Sequence, residues 1–328
     1  MLKHIPIKGP DPLTPEWYAL RSYDPGRRVP VILSASYAAA TVGCSEWATP
    51  AHVYLWQTDP QDESDDDYRW FGRAIEPAII GRYAETTGNV VDYPQPMWFH
   101  PVHQFLAATP DAMVMAGSVA SWPWKNGDDH WVKHALFPID AKSTGFRMAS
   151  KWGDEGTDEV PVDVLMQAQQ QMLVMGADHQ EVVQFQVEKR RIKVYQIERN
   201  EDLCDAIVEA AKELCERIIA GDPPEPNWTH PRARDINKAL FGIASDMRKQ
   251  ADDEFLTARD AYRQACDAEK EAQKAKEAAK GKMEWLMGDA AAVDLGDGKE
   301  MVRKKIQVAE HMVKASEYVR MYERKVPK

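Results

Sequence analysis

The sequence predicts an α/β protein with a mixed central sheet flanked by helices, followed by a long-helix appendage of coiled-coil character. Three observations predict it. Short apolar runs around Asp111, around Asp140, from Glu181 to Val187 and from Ile192 to Ile197 alternate with stretches of helical periodicity. A helix from about Asn200 to Ala220 is stopped by Gly221-Asp222-Pro223-Pro224-Glu225-Pro226, which opens a linker. Beyond it, positions 244, 247, 251, 255, 258, 262, 265, 268, 272, 275, 279, 283 and 286 are all Ala, Met, Phe, Tyr or Leu, a spacing that averages about 3.5 residues, the coiled-coil period. The expected domains are therefore residues 1–225, and a helical, coiled-coil-like extension over 226–328 that ends in a short basic β-hairpin or tail.

Taken in order, the N-terminal part is helical. Glu76 lies in a helical stretch in which Glu76, Ile80 and Tyr83 share a face, and a carboxylate on an apolar stripe needs a partner because burying it unpaired is costly. Asp111 follows Ala108-Thr109-Pro110, and Asp140-Ala141-Lys142 lies at the end of the apolar run Phe137-Pro138-Ile139. Between them, Trp122-Pro123-Trp124-Lys125-Asn126-Gly127-Asp128 reads as an extended β-hairpin with an Asn-Gly turn, its aromatics either stacking on unpaired bases or covering the core. Leu165, Ala168, Met172 and Met175 make a buried helical stripe with Gly176 as its stop, and Gln167 and Gln171 form a polar stripe beside it. In the extension, the alanine-rich seam predicts one continuous helix over 244–286, on the order of 60 Å at 1.5 Å per residue. It packs on another chain, a copy of itself or a partner protein, or stands alone as a solvated helix.

The chemistry is concentrated in three residues. Strand alternation puts Asp140 and Lys142 on one side and turns Ala141 into the core. Two carboxylates from neighbouring strands, Asp111 and Asp140, suit an open magnesium site, since that hard ion takes oxygen ligands and keeps several waters. Lys142 then lies close to one of those waters.

In order and spacing these elements resemble the YqaJ-type viral recombinases, the family of phage lambda exonuclease within the PD-(D/E)xK nucleases. The resemblance runs over roughly residues 14–225, from Trp17-Tyr18-Ala19-Leu20-Arg21 through Ser34-Ala35-Ser36-Tyr37, Gly72-x-x-x-Glu76, Thr109-Pro110-Asp111 and Asp140-Ala141-Lys142 to the helix 161–176. It implies a restriction-endonuclease-like core. It also implies that Asp111, Asp140 and the Ala141 carbonyl bind catalytic metal, that Glu76 completes a second metal site, that Lys142 positions or activates the attacking water, and that Gln167 orients it. Arg21 and Ser36 match positions that contact DNA phosphate, the terminal one included. Extra residues between them leave Arg27 or Arg28 as alternatives to Arg21. Asp140 stands where relatives more often carry Glu, which shortens the reach by one methylene.

The activity implied is a Mg²⁺-dependent exonuclease, with two ions and Mn²⁺ as a possible substitute, that digests linear double-stranded DNA from the 5′ end and leaves 3′ single strands. The implied partners are DNA ends, further copies of the chain in a ring-shaped homotrimer, and a single-strand annealing protein. The alternatives are a structure-specific or restriction-type endonuclease of the same superfamily, and a catalytically degenerate DNA-binding or scaffold module.

Composition bears on class. The net charge of −11 opposes general DNA affinity, yet a metal site itself requires acids and a local field can oppose the average. Much of the acid lies in the run 59–67, read as a solvated loop, while Lys189-Arg190-Arg191-x-Lys193 is either a phosphate-contacting patch or a solvent-facing turn. Met1 to Pro6 lacks a signal-peptide core and no run reaches the roughly 18 apolar residues of a spanning helix, so no membrane role and a cytoplasmic location, that of a host cell if phage-encoded, are expected. Cys44, Cys204, Cys215 and Cys266 are spaced too widely for an iron–sulfur cluster and are read as reduced, buried thiols. His100-x-x-His103 and His130-x-x-x-His134 are read as packing or loop residues.

Overall fold

A computed structural model of the chain describes residues 2–27, 30–59, 67–117, 133–240, 250–308 and 316–325. Arg28, the acidic loop after Asp59 and the expected hairpin at 122–128 lie outside these residues. The chain divides into two units, Met1–Ile243 and Ala244–Lys328.

The first unit carries, in chain order, β1 (Ile7–Lys8), α1 (Pro15–Ala19), β2 (Leu33–Ser34), α2 (Ala38–Val42), α3 (Pro50–Thr58), α4 (Asp67–Thr87), β3 (Val90–Asp92), β4 (Trp98–Phe99), β5 (Leu106–Ala108), β6 (Ala112–Met115), β7 (Ala135–Thr144), α5 (Phe146–Ala149), α6 (Val162–Met175), β8 (His179–Gln186), β9 (Arg191–Glu198), α7 (Glu201–Ala220) and α8 (Ala233–Leu240). Five strands form the central sheet in the order β3-β6-β7-β8-β9. All its pairs are antiparallel except β7 with β8, so the sheet is mixed, and the parallel pair is bridged by α5 and α6. The first unit is thus a mixed α/β core flanked by helices, as the sequence predicts.

Both faces of this sheet are covered, which explains why its central strands read as near-continuous apolar runs. On one face Ile79, Ile80 and Tyr83 of α4 pack on Ala112, Val114, Ile139 and Val183. On the other, Met172 and Met175 of α6 and Cys204, Ile207 and Leu214 of α7 close over Val182, Tyr195 and Ile197. α6 ends where the sequence places its stop: Gly176 adopts a left-handed φ of +72° and donates its N–H to the Met172 carbonyl. A smaller sheet, β1-β4-β5-β2, was not anticipated; its strands of two or three residues are too short to show a period.

Of the expected polar stripe on helix 162–175, Gln171 is buried, and so are Gln169 and Gln170. Remote carbonyls meet the latter two: Gln169 Nε2 donates to Glu198, and Gln170 Nε2 to both Leu33 and Ala107. The cysteines also divide, with Cys204 and Cys215 buried but Cys44 exposed and Cys266 intermediate; all four are free thiols. The first unit extends past residue 225: His230 Nε2 donates to the Glu46 carbonyl at 3.2 Å and Arg232 Nη1 to the Trp47 carbonyl at 3.1 Å.

His100 is a packing residue, as expected. It is buried between His4 and His103, ring centroids 4.8 Å away in each case, and its Nδ1 accepts the backbone N–H groups of Val102 and His103. Burial, and then the neighbouring His4, His103 and Arg199, push it from 6.5 down to about 4. The unfolded chain therefore binds this proton first, and stability is lost as pH falls from 6.5 through about 4. His100→Asn, which keeps an acceptor for the two N–H groups, is expected to flatten that limb of a melting-temperature profile against pH.

The second unit consists of α9 (Asp253–Met287) and a three-stranded antiparallel meander of β10 (Ala292–Asp294), β11 (Lys299–Val308) and β12 (Ser316–Lys325). The helix starts later than the expected residue 244, because Asp252 caps it: its side chain accepts the Phe255 N–H at 2.8 Å. At about 1.5 Å per residue α9 is roughly 50 Å long. Its seam is open in the single chain, with Phe255 63% and Tyr262 71% exposed. Among the described residues no helix is long and apolar enough to cross a membrane.

Candidate functional site

The middle of β7, the turn before β6, α4 and α6 meet at one place. Strand alternation directs Asp140 and Lys142 toward α6, and Ile139 and Ala141 toward α4. Asp140 is only 2% exposed and is met from two directions: Oδ2 pairs with Lys142 Nζ, while Oδ1 accepts from Gln167 Nε2 at 2.9 Å and Gln171 Nε2 at 3.1 Å. Asp140 and Lys142 share one side and Ala141 packs on the core cluster of α4, as the alternation predicts. Asp140 is more buried than Ala141, and pairing plus hydrogen bonds offset the cost of taking its charge out of water.

Asp111 reaches the same point from the turn between β5 and β6. Its N–H donates to the Ile139 carbonyl at 3.1 Å and its Oδ2 accepts the Ala141 N–H at 2.6 Å, so the side chain is clamped to β7. The contribution Ala141 makes to the cluster directly is this backbone N–H. Glu76 sits on α4 immediately before Pro77, a helix-interior proline that leaves the carbonyl of residue 73 without its helical donor, and the Tyr93 hydroxyl hydrogen-bonds the Glu76 carboxylate.

The electrostatics follow from three acids sharing this space. Burial, then the charges of Asp140 and Glu76, raise Asp111 well above the usual carboxylate range. Burial and Asp140 raise Glu76, with Lys142 and Tyr93 pulling the other way. Burial works to lower Lys142, but Asp140, Asp111 and Glu76 outweigh it and hold the ammonium above its ordinary value. Three carboxylates face Lys142 and, at Glu76, the charge of Arg73, and the oxygen donors of the cluster suit a hard divalent cation. Among the described residues no three His, Cys, Asp or Glu side chains stand close enough to hold an ion as they are. The fit is thus one of donor type and charge.

A cleft of about 440 Å³ opens onto the cluster, and Arg21, Ser36, Glu76, Asp111 and Gln167 all line it. The Arg21 guanidinium lies 4.4 Å over the Trp17 ring and 5.5 Å from the Tyr37 centroid, and donates to the Tyr37 hydroxyl at 3.0 Å. Ser36 Oγ donates to Ser34 Oγ at 3.5 Å. Asp140, Ala141 and Lys142 do not line the cleft; Gln167, which does, touches Asp140. Of the candidate residues for metal, catalysis and phosphate, Arg28 lies outside the described set.

A family model described as the YqaJ-like viral recombinase domain matches residues 16–178. Residues 16–178 are similar to the YqaJ-like viral recombinase domain. The match spans the site from Trp17 and Arg21 to Gln167 and Gln171. Among solved structures, the alkaline exonuclease LHK-Exo from Laribacter hongkongensis aligns over 64% of this chain and 94% of its own at 18% identity, TM-score 0.45. Its complex with dAMP aligns over the same shares at 20% identity, TM-score 0.47. A phage-related exonuclease from Haemophilus somnus 129PT aligns over 58% of this chain and 96% of its own at 16% identity, TM-score 0.42. A search of curated proteins finds no match.

Sequence reasoning gave no role in the chemistry to four residues of this site. Arg73 and Gln171 line the cleft one helical turn from Glu76 and Gln167, a spacing from which both were recoverable. Trp17 was quoted without a role, and it is the ring on which Arg21 lies. Tyr93 carried no signal, since only the fold brings it to Glu76.

Proposed function

We propose that this chain is a metal-dependent deoxyribonuclease that digests linear double-stranded DNA from 5′ ends, with Mg²⁺ as the working ion and Mn²⁺ as a substitute. The observation that supports this most is the convergence on one cleft of an acidic cluster with Arg21 and Ser36, two groups suited to a phosphate. In this reading Asp111, Asp140, Glu76 and the Ala141 carbonyl hold two metal ions. The metal supplies charge stabilisation on the phosphodiester and lowers the pKa of a bound water.

The remaining work falls to side chains of the chain. Lys142, an ammonium beside Asp140, donates from Nζ to the attacking water or to a phosphate oxygen. Gln167 bridges the cleft and Asp140, and so orients both. Arg21, stiffened between Trp17 and Tyr37, presents a planar, permanently charged donor to the 5′-terminal phosphate, and Ser36 adds a hydroxyl. Assembly as a homotrimer and delivery of 3′ strands to a single-strand annealing protein belong to the same proposal and rest on the family resemblance.

Arg21→Ala removes a charge-assisted hydrogen bond worth about 1.5–3 kcal/mol. KM for 5′-phosphorylated duplex is therefore expected to rise on the order of 10- to 100-fold, with little change for 5′-hydroxyl ends. The assignment is tested with 5′- and 3′-end-labelled linear duplex and with closed circular duplex. Cutting of the circle favours the endonuclease alternative, and absence of both Mn²⁺ binding and cleavage favours the degenerate one.

A further inference from the structure

Two buried glutamines, Gln171 at the wall of the cleft and Gln180 bonded to it, have no role assigned to them. Gln171 on α6 and Gln180 on β8 are each 0% exposed. Gln171 Nε2 donates to Asp140 Oδ1 at 3.1 Å, and Gln171 Oε1 accepts from Gln180 Nε2. The polarity of this chain is dictated from one end. An ionised carboxylate can only accept, so the amide nitrogen of Gln171 must face Asp140 and its oxygen must face away, where Gln180 supplies an N–H. Met172, Leu173 and Met175 of the same helix belong to the apolar core. An apolar residue at 171 would cost less desolvation, so the amide is explained by what it binds rather than by packing.

We propose that Gln171, oriented by Gln180, is a positioning residue that fixes the rotation of the Asp140 carboxylate, leaving Oδ2 directed at Lys142. The inference rests on the nuclease reading and deepens it. With Gln167 and Gln171 both on Oδ1, the acid is held at one oxygen by two amides and at the other by an ammonium. Its angle toward Asp111 and the cleft is then set by the distance between β7 and α6, that is, by the summed lengths of side chains 140 and 171.

That sum can be conserved while its parts change. Asp140→Glu adds one methylene and Gln171→Asn removes one. Each single variant is expected to lower kcat on linear duplex about 10- to 100-fold and to weaken Mn²⁺ binding, measured by calorimetry without DNA, by a similar factor, with KM for DNA unchanged. The double variant is expected to recover most of both. Gln180→Leu, which deletes the N–H that orients Gln171, is expected to give a smaller loss in the same two readouts. It carries the test should a single variant fail to fold by circular dichroism. Losses that simply multiply in the double variant, or unchanged Mn²⁺ affinity in Gln171→Asn or Gln180→Leu, overturn the proposal while wild-type cleavage stands. A wild-type chain that neither binds Mn²⁺ nor digests DNA overturns the nuclease reading, and this inference with it.

Discussion

Lys142→Ala is expected to reduce Mg²⁺-dependent digestion of 5′-phosphorylated linear duplex by roughly 10²- to 10⁴-fold, the range over which a positioned proton-handling group contributes to a rate. The expectation comes from the environment of the residue. Lys142 is the ammonium against which Asp140 is paired, and Asp111 and Glu76 add to the field that holds it charged. Removing it leaves three acids facing one another, and breaking one side of a buried pair typically costs about 3–5 kcal/mol. The variant should therefore melt lower in EDTA and regain stability in Mg²⁺, where a divalent charge replaces the missing ammonium. Measuring cleavage only at saturating Mg²⁺, with folding checked by circular dichroism, separates lost chemistry from lost fold. Lys142→Arg is not expected to rescue, because a planar fork cannot reproduce a point charge beside Asp140. Undiminished digestion by the folded alanine variant would sink the role of Lys142.

Asp111→Asn is expected to abolish activity and to stabilise the metal-free protein. Asparagine keeps an oxygen for the Ala141 N–H while removing one of the three like charges. The sign follows from the raised folded-state pKa: the stabilising, protonated form of Asp111 is fully present below the ordinary value of 3.8 and is lost as pH rises through the raised one. At neutral pH, above the ordinary value of 3.8, the wild type in EDTA therefore carries a penalty that the variant does not. The melting temperature of Asp111→Asn should exceed that of wild type, by about 2–4 °C per kcal/mol for a domain of this size. The gap should close as pH falls toward 3.8. In Mg²⁺ the order should reverse, because the wild type gains ion binding that the variant lacks. A variant less stable than wild type in EDTA at neutral pH contradicts the crowding of acids from which the site is argued.

Much of the architecture was legible because local chemistry dictates it. Gly176 and Gly221 both end helices in left-handed conformations, Asn200 caps α7, and the apolar runs around Asp140, from Glu181 to Val187 and from Ile192 to Ile197 fall on three of the five strands of the central sheet. The elements that escaped are those whose signal is too short or too remote. β1, β2 and β4 have two residues each, so no alternation can develop in them. The start of α9 was read nine residues early because an apolar spacing shows where a helix is able to run, whereas the Asp252 cap determines where it begins.

The site divides along the same line. Residue types in a fixed order, Glu76, Asp111, Asp140, Lys142 and Gln167, were available to reading because acids, a cation and an amide at strand and helix spacings suggest oxygen ligation of a metal. The sequence by itself thus determined the fold class, the main strands and helices, and the chemical character of the cluster. Tertiary structure alone decided that Asp140 is buried and Gln171 with it, that Arg21 is sandwiched by Trp17 and Tyr37, and that Tyr93 meets Glu76. Periodicity reports which way a side chain points along its own element. Burial, pairing and pKa depend on what a distant segment brings to the other side, and that is settled only when the segments are packed.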